Sequence, residues 1–255
     1  MTFQVVLRFY GNLNDFLLPN RQWRAFEYRL KESSSVKDTI EAVGVPHPEV
    51  DLLLVNGCSE GFGYLLRPND VVDVYPRNFS GVEDLGLVDV VSKVRPKPLE
   101  FYAFVLDVHL GKLARYLRFL GFDTLYQNDF EDETLALISS QQERVLLTQD
   151  LGLLKRSMVS YGYRVRSPYP KAQVAEVLSR FDLYGRITPF RRCSRCNGLI
   201  EPVGKDAVVQ NLPYFTALHY NEFFQCLDCE QVYWKGAHYQ KMSALIEDLS
   251  DDSVL

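Results

Sequence analysis

The sequence predicts an α/β fold with a parallel sheet, preceded by a small α+β domain and followed by a cysteine-rich metal-binding domain. Three observations support this fold class. β-prone runs alternate with helical runs over residues 100–187, which is typical of parallel strands joined by helices. Residues 1–80 give the order strand, strand, helix, strand, strand. Two C-x-x-C pairs follow within residues 188–246.

The composition is that of a soluble globular protein. The 255 residues are 47% hydrophobic and 24% charged, and a chain of this length allows two or three small domains. It contains no run of about 18 apolar residues, and its N-terminus lacks a basic region ahead of an apolar core. We therefore expect a cytoplasmic protein without a membrane partner. The net charge of −5 excludes a chain that is basic throughout, so any phosphate-binding surface must be a local patch.

The N-terminal domain is predicted over residues 1–80. Its elements are strands at 3–10 and 25–30, a helix from about 36 to 43, and strands at 52–55 and 71–75. The serines at 33–35 can cap the helix. Asn56-Gly57 favours a tight turn after the third strand, and Pro76 ends the last one.

The α/β domain is predicted over residues 100–187. Strands are expected at 104–106, 122–126, 145–148 and 163–166, and helices at 110–120, 131–142, 151–157 and 171–181. A linker at 81–99 precedes this domain, because Gly81, Gly86, Pro96 and Pro98 interrupt a segment of mixed polarity. The acidic residues 247–255 form a predicted frayed tail.

The paired cysteines predict a zinc site. Each pair, Cys193/Cys196 and Cys226/Cys229, can direct two thiolates from a tight turn, and four thiolates make a closed tetrahedral site that suits structural Zn²⁺. Asn197-Gly198 can supply the positive φ that such a turn needs. The long separation of the pairs indicates an inserted hairpin or loop. His219 and His238 are alternative ligands, and Cys58 is a predicted free thiol.

Several acids occupy positions where a parallel sheet would gather them. Asp107 and Asp150 follow the first and third strands, and Asp129 follows the second. Asp132 and Glu133 lie in the first turn of a helix. Clustered carboxylates suit Mg²⁺ or Mn²⁺. The alternative is that these acids only cap helices or interact with the helix dipole.

A basic helix face adjoins the first of these acids. Lys112, Arg115 and Arg118 recur every three residues just after Asp107, so they share one broad face that could bind phosphates. The alternative is a solvated helix face. Thr148 could place a hydroxyl near Asp150.

The motifs together resemble a known family. Residues 104–126 (FVLDVHLGKLARYLRFLGFDTLY), FEDETLAL, RVLLTQDLGLLKR, CSRCNG and CLDCEQVYWKGAHYQKM resemble, in order, the Mut-seven C-terminal ribonuclease-like family. Its members join a PIN-like nuclease fold to a zinc ribbon, and bacterial members often carry an N-terminal ubiquitin-like domain. Residues 36–57 and 65–76 are similar to such a β-grasp domain.

The resemblance implies a metal-dependent ribonuclease with structural zinc and catalytic Mg²⁺ or Mn²⁺. It assigns metal-binding acids to Asp107, Asp132 and Asp150, with Asp129 as the fourth acid. Candidate RNA-binding residues are Lys112, Arg115, Arg118, Trp234 and His238. The stretch around Tyr233 could instead pack against the ribbon's own core. Gln149 stands where the family usually has Arg or Lys.

The expected partners are RNA, with tRNA and ribosomal RNA as candidate classes, and a protein that docks on the β-grasp domain. A bare folding module is the alternative for that domain. The rival function is a non-catalytic RNA- or ribosome-binding adaptor. A sulfur carrier is disfavoured, because the chain continues through Arg77-Asn78-Phe79-Ser80 where carriers end in Gly-Gly.

Overall fold

The fold is described by a computed structural model, over residues 2–81, 83–237, 239–240 and 243–244. The strands are β1 Phe3–Phe9, β2 Phe26–Leu30, β3 Val50–Val55, β4 Cys58–Ser59, β5 Val71–Pro76, β6 Ala103–Leu106, β7 Asp123–Leu125, β8 Val145–Thr148, β9 Gly162–Arg164, β10 Ile200–Val203, β11 Phe223–Cys226 and β12 Val232–Trp234. The α-helices are α1 Val36–Ala42, α2 Gly111–Phe119, α3 Asp132–Gln141, α4 Leu151–Leu154, α5 Pro170–Phe181, α6 Lys205–Val208 and α7 Tyr214–His219. Within the described ranges, no helix has both the length and the apolar character needed to cross a membrane.

The chain divides into two compact units. The first contains Met1–Phe101 and Glu131–Arg164, and the second contains Tyr102–Phe130 and Val165–Leu255. Each unit is therefore built from two separate stretches of the chain. The acidic tail predicted at 247–255 lies outside the described residues.

The first unit begins with a mixed five-stranded sheet in the order β2-β1-β5-β3-β4. β1 and β5 are parallel, and the other pairs are antiparallel. Helix α1 begins where the Ser35 hydroxyl accepts a hydrogen bond from the Asp38 amide, as a serine cap should. Asn56 and Gly57 both take positive φ in the β3–β4 turn. This is the β-grasp arrangement that the sequence predicts.

The predicted linker packs on this domain. Leu87 and Val90 contact the cluster formed by Leu52, Leu54 and Tyr75. In addition, the Arg95 guanidinium forms an ion pair with the carboxylate of Asp51. The described residues of the segment 81–99 therefore form turns that pack against the β-grasp sheet.

The remainder of the first unit is a parallel strand pair with its helices. β8 and β9 pair in register from Leu146 with Gly162 to Thr148 with Arg164. All four residues of β8 are buried, as expected for a strand covered on both faces. Helices α3 and α4 pack against it.

The second unit contains the other parallel pair, β6 with β7, and the helices α2 and α5 packed together. The apolar face of α2 is fully buried through Leu113, Ala114 and Leu117. Gly121 ends this helix with φ near +96°, and a Cβ there would collide with the Thr188 carbonyl. The alternation of parallel strands and helices confirms the α/β fold class.

The C-terminal part of the second unit is an antiparallel sheet in the order β10-β11-β12. Two short helices, α6 and α7, are inserted between β10 and β11, which explains the long separation of the cysteine pairs. Val208, Phe223 and Val232 form its small core. With its four cysteines, this is a zinc-ribbon arrangement.

Candidate functional site

The four predicted zinc ligands converge. The Sγ atoms of Cys193, Cys196, Cys226 and Cys229 all lie within 4.8 Å of one another. Cys193 Sγ is 3.6 Å from Cys229 Sγ, and Cys196 Sγ is 3.4 Å from Cys226 Sγ. A tetrahedral Zn²⁺ with Zn–S bonds of about 2.3 Å needs sulfur separations of about 3.8 Å. The donor set and its spacing therefore fit zinc. Among the residues that the structure describes, no other group of three or more His, Cys, Asp or Glu side chains meets this spacing.

The two cysteine pairs lie in turns with the same backbone pattern. In the first, the Cys193 amide donates to the Gly198 carbonyl and the Asn197 amide donates to the Cys193 carbonyl. In the second, the Cys226 amide donates to Gln231 and the Glu230 amide donates to Cys226. These amides are fixed by backbone bonds, so the two turns present their cysteines with the same backbone geometry.

A residue of positive φ follows each pair, Asn197 at +74° and Glu230 at +57°. Asn197 thus supplies the conformation predicted for Asn197-Gly198. Gly198 is needed for space, because a Cβ there would clash with the Asp228 carboxylate and lie 2.9 Å from Cys226 Sγ.

Tyr233 contacts the thiol of Cys193. Its hydroxyl lies 3.0 Å from Cys193 Sγ and 3.2 Å from the Ser194 hydroxyl. Burial raises the pKa of the Cys193 thiol, but hydrogen bonds from Tyr233 and from backbone amides outweigh that effect and bring the pKa to about 7. Burial raises the pKa of Cys196 to about 12. A divalent cation would stabilise the thiolates of both residues.

Arg118 has a different position from the one predicted. Its side chain is only 5% exposed, and Nε donates to the Thr124 carbonyl at 2.8 Å. Nη1 donates to the carbonyls of Ser194 and Arg195 at 3.5 and 3.0 Å. Burial lowers the pKa of this guanidinium, and the charges of Cys193 and Cys196 oppose that effect. Arg118 therefore joins α2 and β7 to the first cysteine turn.

Asn197 makes a second connection between β7 and the ribbon. Its Oδ1 accepts from the Thr124 amide at 2.9 Å, and its Nδ2 donates to Asp123 Oδ1 at 2.9 Å. Arg192 Nη2 lies 3.2 Å from the other oxygen of Asp123. Sequence reasoning missed these roles. One available signal was the spacing of Ala114 and Arg118, which places the arginine at the border of the apolar stripe of α2.

The other proposed RNA-binding residues differ in exposure. Lys112 and Arg115 are exposed on α2. Trp234 is partly buried against the ribbon core and lines a cavity of about 460 Å³ with Phe190 and Tyr239. His238 lies outside the described residues.

In the second unit, Asp107 directly follows β6. It is 8% exposed, and its Oδ1 accepts from the Val108 amide at 2.6 Å, which caps the turn Val108–Leu110. Asp129 is exposed in the loop after β7. The capping interpretation of Asp107 therefore holds, and the cap fixes the orientation of its carboxylate.

In the first unit, Asp150 follows β8 and caps α4. Its Oδ1 accepts from the Gly152 amide at 2.6 Å, and its own amide donates to the Thr148 hydroxyl at 2.9 Å. Asp132 lies in the first turn of α3, half-exposed and 3.9 Å from the Arg156 guanidinium. Thr148 thus lies close to Asp150 as predicted, and its hydroxyl contacts the backbone amide of the aspartate rather than the carboxylate.

Two family models match consecutive stretches of the chain. Residues 102–246 match the family model of the Mut7-C RNAse domain, and residues 2–81 match that of the Mut7-C ubiquitin domain. No curated protein and no solved structure gives a significant match. The first match covers more than half of the chain, and its cysteine cluster and α/β elements are those described above. The chain therefore belongs to the Mut7-C RNAse domain family and carries a Mut7-C ubiquitin domain ahead of that domain.

Proposed function

We propose that the protein is a metal-dependent ribonuclease that hydrolyses phosphodiester bonds of RNA. The observation that carries this proposal is the match of residues 102–246 to the Mut7-C RNAse domain. The carboxylates of Asp107, Asp132 and Asp150, with Asp129 as the fourth acid, are the proposed ligands of Mg²⁺ or Mn²⁺. A bound ion of this kind would lower the pKa of a water and stabilise charge on the phosphate.

Local geometry supports the choice of acids. Asp107 and Asp150 each follow a strand of a parallel pair, and each has one carboxylate oxygen held by a backbone amide 2.6 Å away. Such a bond orients the carboxylate. Carboxylate oxygens are the ligands that Mg²⁺ and Mn²⁺ prefer. The donor chemistry therefore fits these ions.

The proposed RNA contacts start from α2. Lys112 and Arg115 lie three residues apart on its exposed face, where two cations can bind successive phosphates. Arg118 is assigned to structure instead, because its guanidinium is bonded to backbone carbonyls. Trp234 offers a partly exposed ring for stacking on an unpaired base.

The zinc site has a structural role in this proposal. Four thiolates complete a tetrahedral shell and leave no position for water. The ion would hold a ribbon whose apolar core is small.

The test is cleavage of labelled single-stranded RNA, structured RNA and single-stranded DNA by the pure full-length protein. Asp107→Asn and Asp150→Asn remove a charge, but asparagine still caps, so both variants should fold. Asp206→Asn is the matched control, since it changes an exposed first-turn acid of α6. Mg²⁺ and Mn²⁺ are omitted rather than chelated, so that zinc stays bound.

The expected result is RNA cleavage that needs Mg²⁺ or Mn²⁺, is lost in both site variants and is retained in the control. RNA binding without cleavage under every condition would overturn the proposal and favour the non-catalytic adaptor.

A further inference from the structure

The helix that follows Asp150 is too short to be stable in isolation. Helix α4 comprises only Leu151–Leu154, far fewer residues than an isolated helix needs. Asp150 is its N-cap and bonds to the Gly152 amide. The direction of the Asp150 carboxylate therefore depends on what packs against α4 and the segment after it.

The β-grasp domain supplies much of that packing, and both parts belong to the first compact unit. Leu151 packs against the apolar core of the β-grasp domain. Gly162, at the start of β9, approaches so closely that a Cβ there would lie 3.3 Å from Pro48 and 2.7 Å from Leu154. A larger residue at position 162 would separate these elements.

Three hydrogen bonds connect residues 41–49 of the β-grasp domain to residues 155–164. His47 Nε2 lies 2.8 Å from the Val159 carbonyl oxygen. Lys155 Nζ donates to the Glu41 carbonyl at 2.7 Å. The Arg164 amide donates to Glu49 Oε1 at 2.8 Å. The bonded groups on the second segment begin one residue after α4 and end within β9.

The His47 bond is buried, and the bonds of Lys155 and Arg164 are part-buried. Glu49 is 1% exposed, His47 is 6% exposed and Val159 is fully buried. Removing one partner of a buried bond leaves the other desolvated and unpaired, which is costlier than losing a surface bond. Breaking the connection is therefore costly.

The imidazole of His47 contacts groups from both sides of this connection. The Val159 carbonyl can only accept, so Nε2 must carry a hydrogen. Nδ1 lies 2.6 Å from Glu41 Oε1, so the other ring nitrogen contacts α1. The ring of Phe62 packs edge-on against the imidazole, with centroids 5.6 Å apart. One side chain thus joins α1 to the segment after α4.

We propose that the β-grasp domain braces the Asp150 turn, with His47, Glu49 and Lys155 as positioning residues for the proposed catalytic acid. This inference rests on the proposed function for its catalytic consequence, but the brace itself is a property of the fold. The β-grasp domain then stabilises the part of its own compact unit that carries Asp132 and Asp150. A tethered module that only recruits a partner would not need these buried bonds.

Hydrogen exchange of the full-length protein, followed by mass spectrometry, tests the brace without reference to activity. In Glu49→Ala and His47→Ala, the amides of residues 151–164 should exchange about tenfold faster. Glu49→Gln keeps an oxygen acceptor for the Arg164 amide and should restore most of the protection. Gln22→Ala is the control, because it removes a side-chain bond within the same domain whose acceptor is the Leu17 carbonyl rather than a group of residues 151–164.

Lys155→Met keeps the aliphatic stem and guards against a variant that fails to fold. It should also speed exchange in residues 151–164, by less than the two alanine variants. Unchanged exchange in all three variants, in protein shown to be folded, would overturn the brace.

The catalytic consequence is measured on the same proteins. Turnover of RNA should fall about 10- to 100-fold in Glu49→Ala, with KM within about twofold of wild type, because the proposed phosphate contacts are unaffected. Glu49→Gln should recover turnover. Normal turnover in a variant with fast exchange would overturn the positioning role. If the wild-type protein cleaves no RNA, the proposed function fails, while the exchange result still decides the brace.

Discussion

The guanidinium of Arg118 donates a hydrogen bond across 3.0 Å to the carbonyl oxygen of Arg195, between the two cysteines of the first cysteine turn. It also donates to Thr124 at the middle of β7. A residue that looks like part of a basic RNA-binding face in the sequence is therefore a buried connection between α2, β7 and the ribbon. Arg118 therefore has a structural role, whereas Arg115 is exposed on the same helix, and this difference can be tested.

Arg118→Ala should destabilise the protein by about 2–4 kcal/mol, because several backbone carbonyls lose a charged donor in a buried place. Arg115→Ala, one turn earlier and exposed, should change the free energy of unfolding by less than about 0.5 kcal/mol. Urea unfolding of the two variants measures the difference. Equal stability in both would contradict the structural role of Arg118.

Lys112→Gln and Arg115→Gln should weaken RNA binding without affecting stability. Each lost phosphate contact should lower the slope of log affinity against log salt concentration by about 0.7 for a single strand. Lys31→Gln makes the same charge change on an exposed residue of the β-grasp domain and serves as the control. Binding titrations at several salt concentrations give the slopes. An effect of Lys31→Gln as large as those of the α2 variants would point to net charge rather than a local surface.

Tyr233→Phe should weaken zinc binding about 10-fold or more, since it removes the hydroxyl bond to Cys193 Sγ. Transfer of zinc to a chromophoric chelator measures the affinity. Tyr214→Phe is a suitable control because Tyr214 is 76% exposed on α7. If the two variants released zinc alike, the contact with Cys193 would have no role in metal binding.

Gly198→Ala should destabilise the ribbon by about 1–3 kcal/mol, because the added methyl group overlaps the Asp228 carboxylate and Cys226 Sγ. Gly204→Ala, with open space around its Cβ position, should have little effect. Thermal unfolding with zinc content measured in parallel checks both. A stable Gly198→Ala protein with full zinc would show that the turn can move aside.

The predictable parts of this molecule depend on local pattern. Alternating strands and helices, and an amphipathic α2, follow from apolar periodicity, and the confirmed α/β fold class rests on them. The zinc cluster follows from C-x-x-C spacing, because two residues between thiols restrict the turn. In both cases the determining interactions lie within a few residues along the chain.

The remaining features depend on contacts between distant residues. Arg118 looks exposed when only the apolar stripe of α2 is counted, and the ribbon turn that buries it lies 76 residues or more further along the chain. His47 and Val159 are separated by 112 residues, and neither position carries a motif. The spacing of Ala114 and Arg118 places the arginine at the border of the apolar stripe, but local spacing does not identify the distant partners of a buried polar group.

The acids show why the same pattern can support two interpretations. Asp107 and Asp150 both cap the turns that they precede, as their positions predict. A cap also fixes the orientation of the carboxylate, so capping and metal binding are compatible. Substitution by asparagine separates them, because it retains the cap and removes the charge.

The most direct test of the central claim is therefore the rate of RNA cleavage by wild type and Asp150→Asn in the presence of Mg²⁺, with zinc content and unfolding free energy measured on the same samples. A metal-stabilised transition state is worth several kcal/mol. The variant should therefore be slower by about 100-fold or more while remaining folded and zinc-loaded. Equal cleavage rates for the two proteins would contradict the assignment of Asp150 to a ribonuclease site.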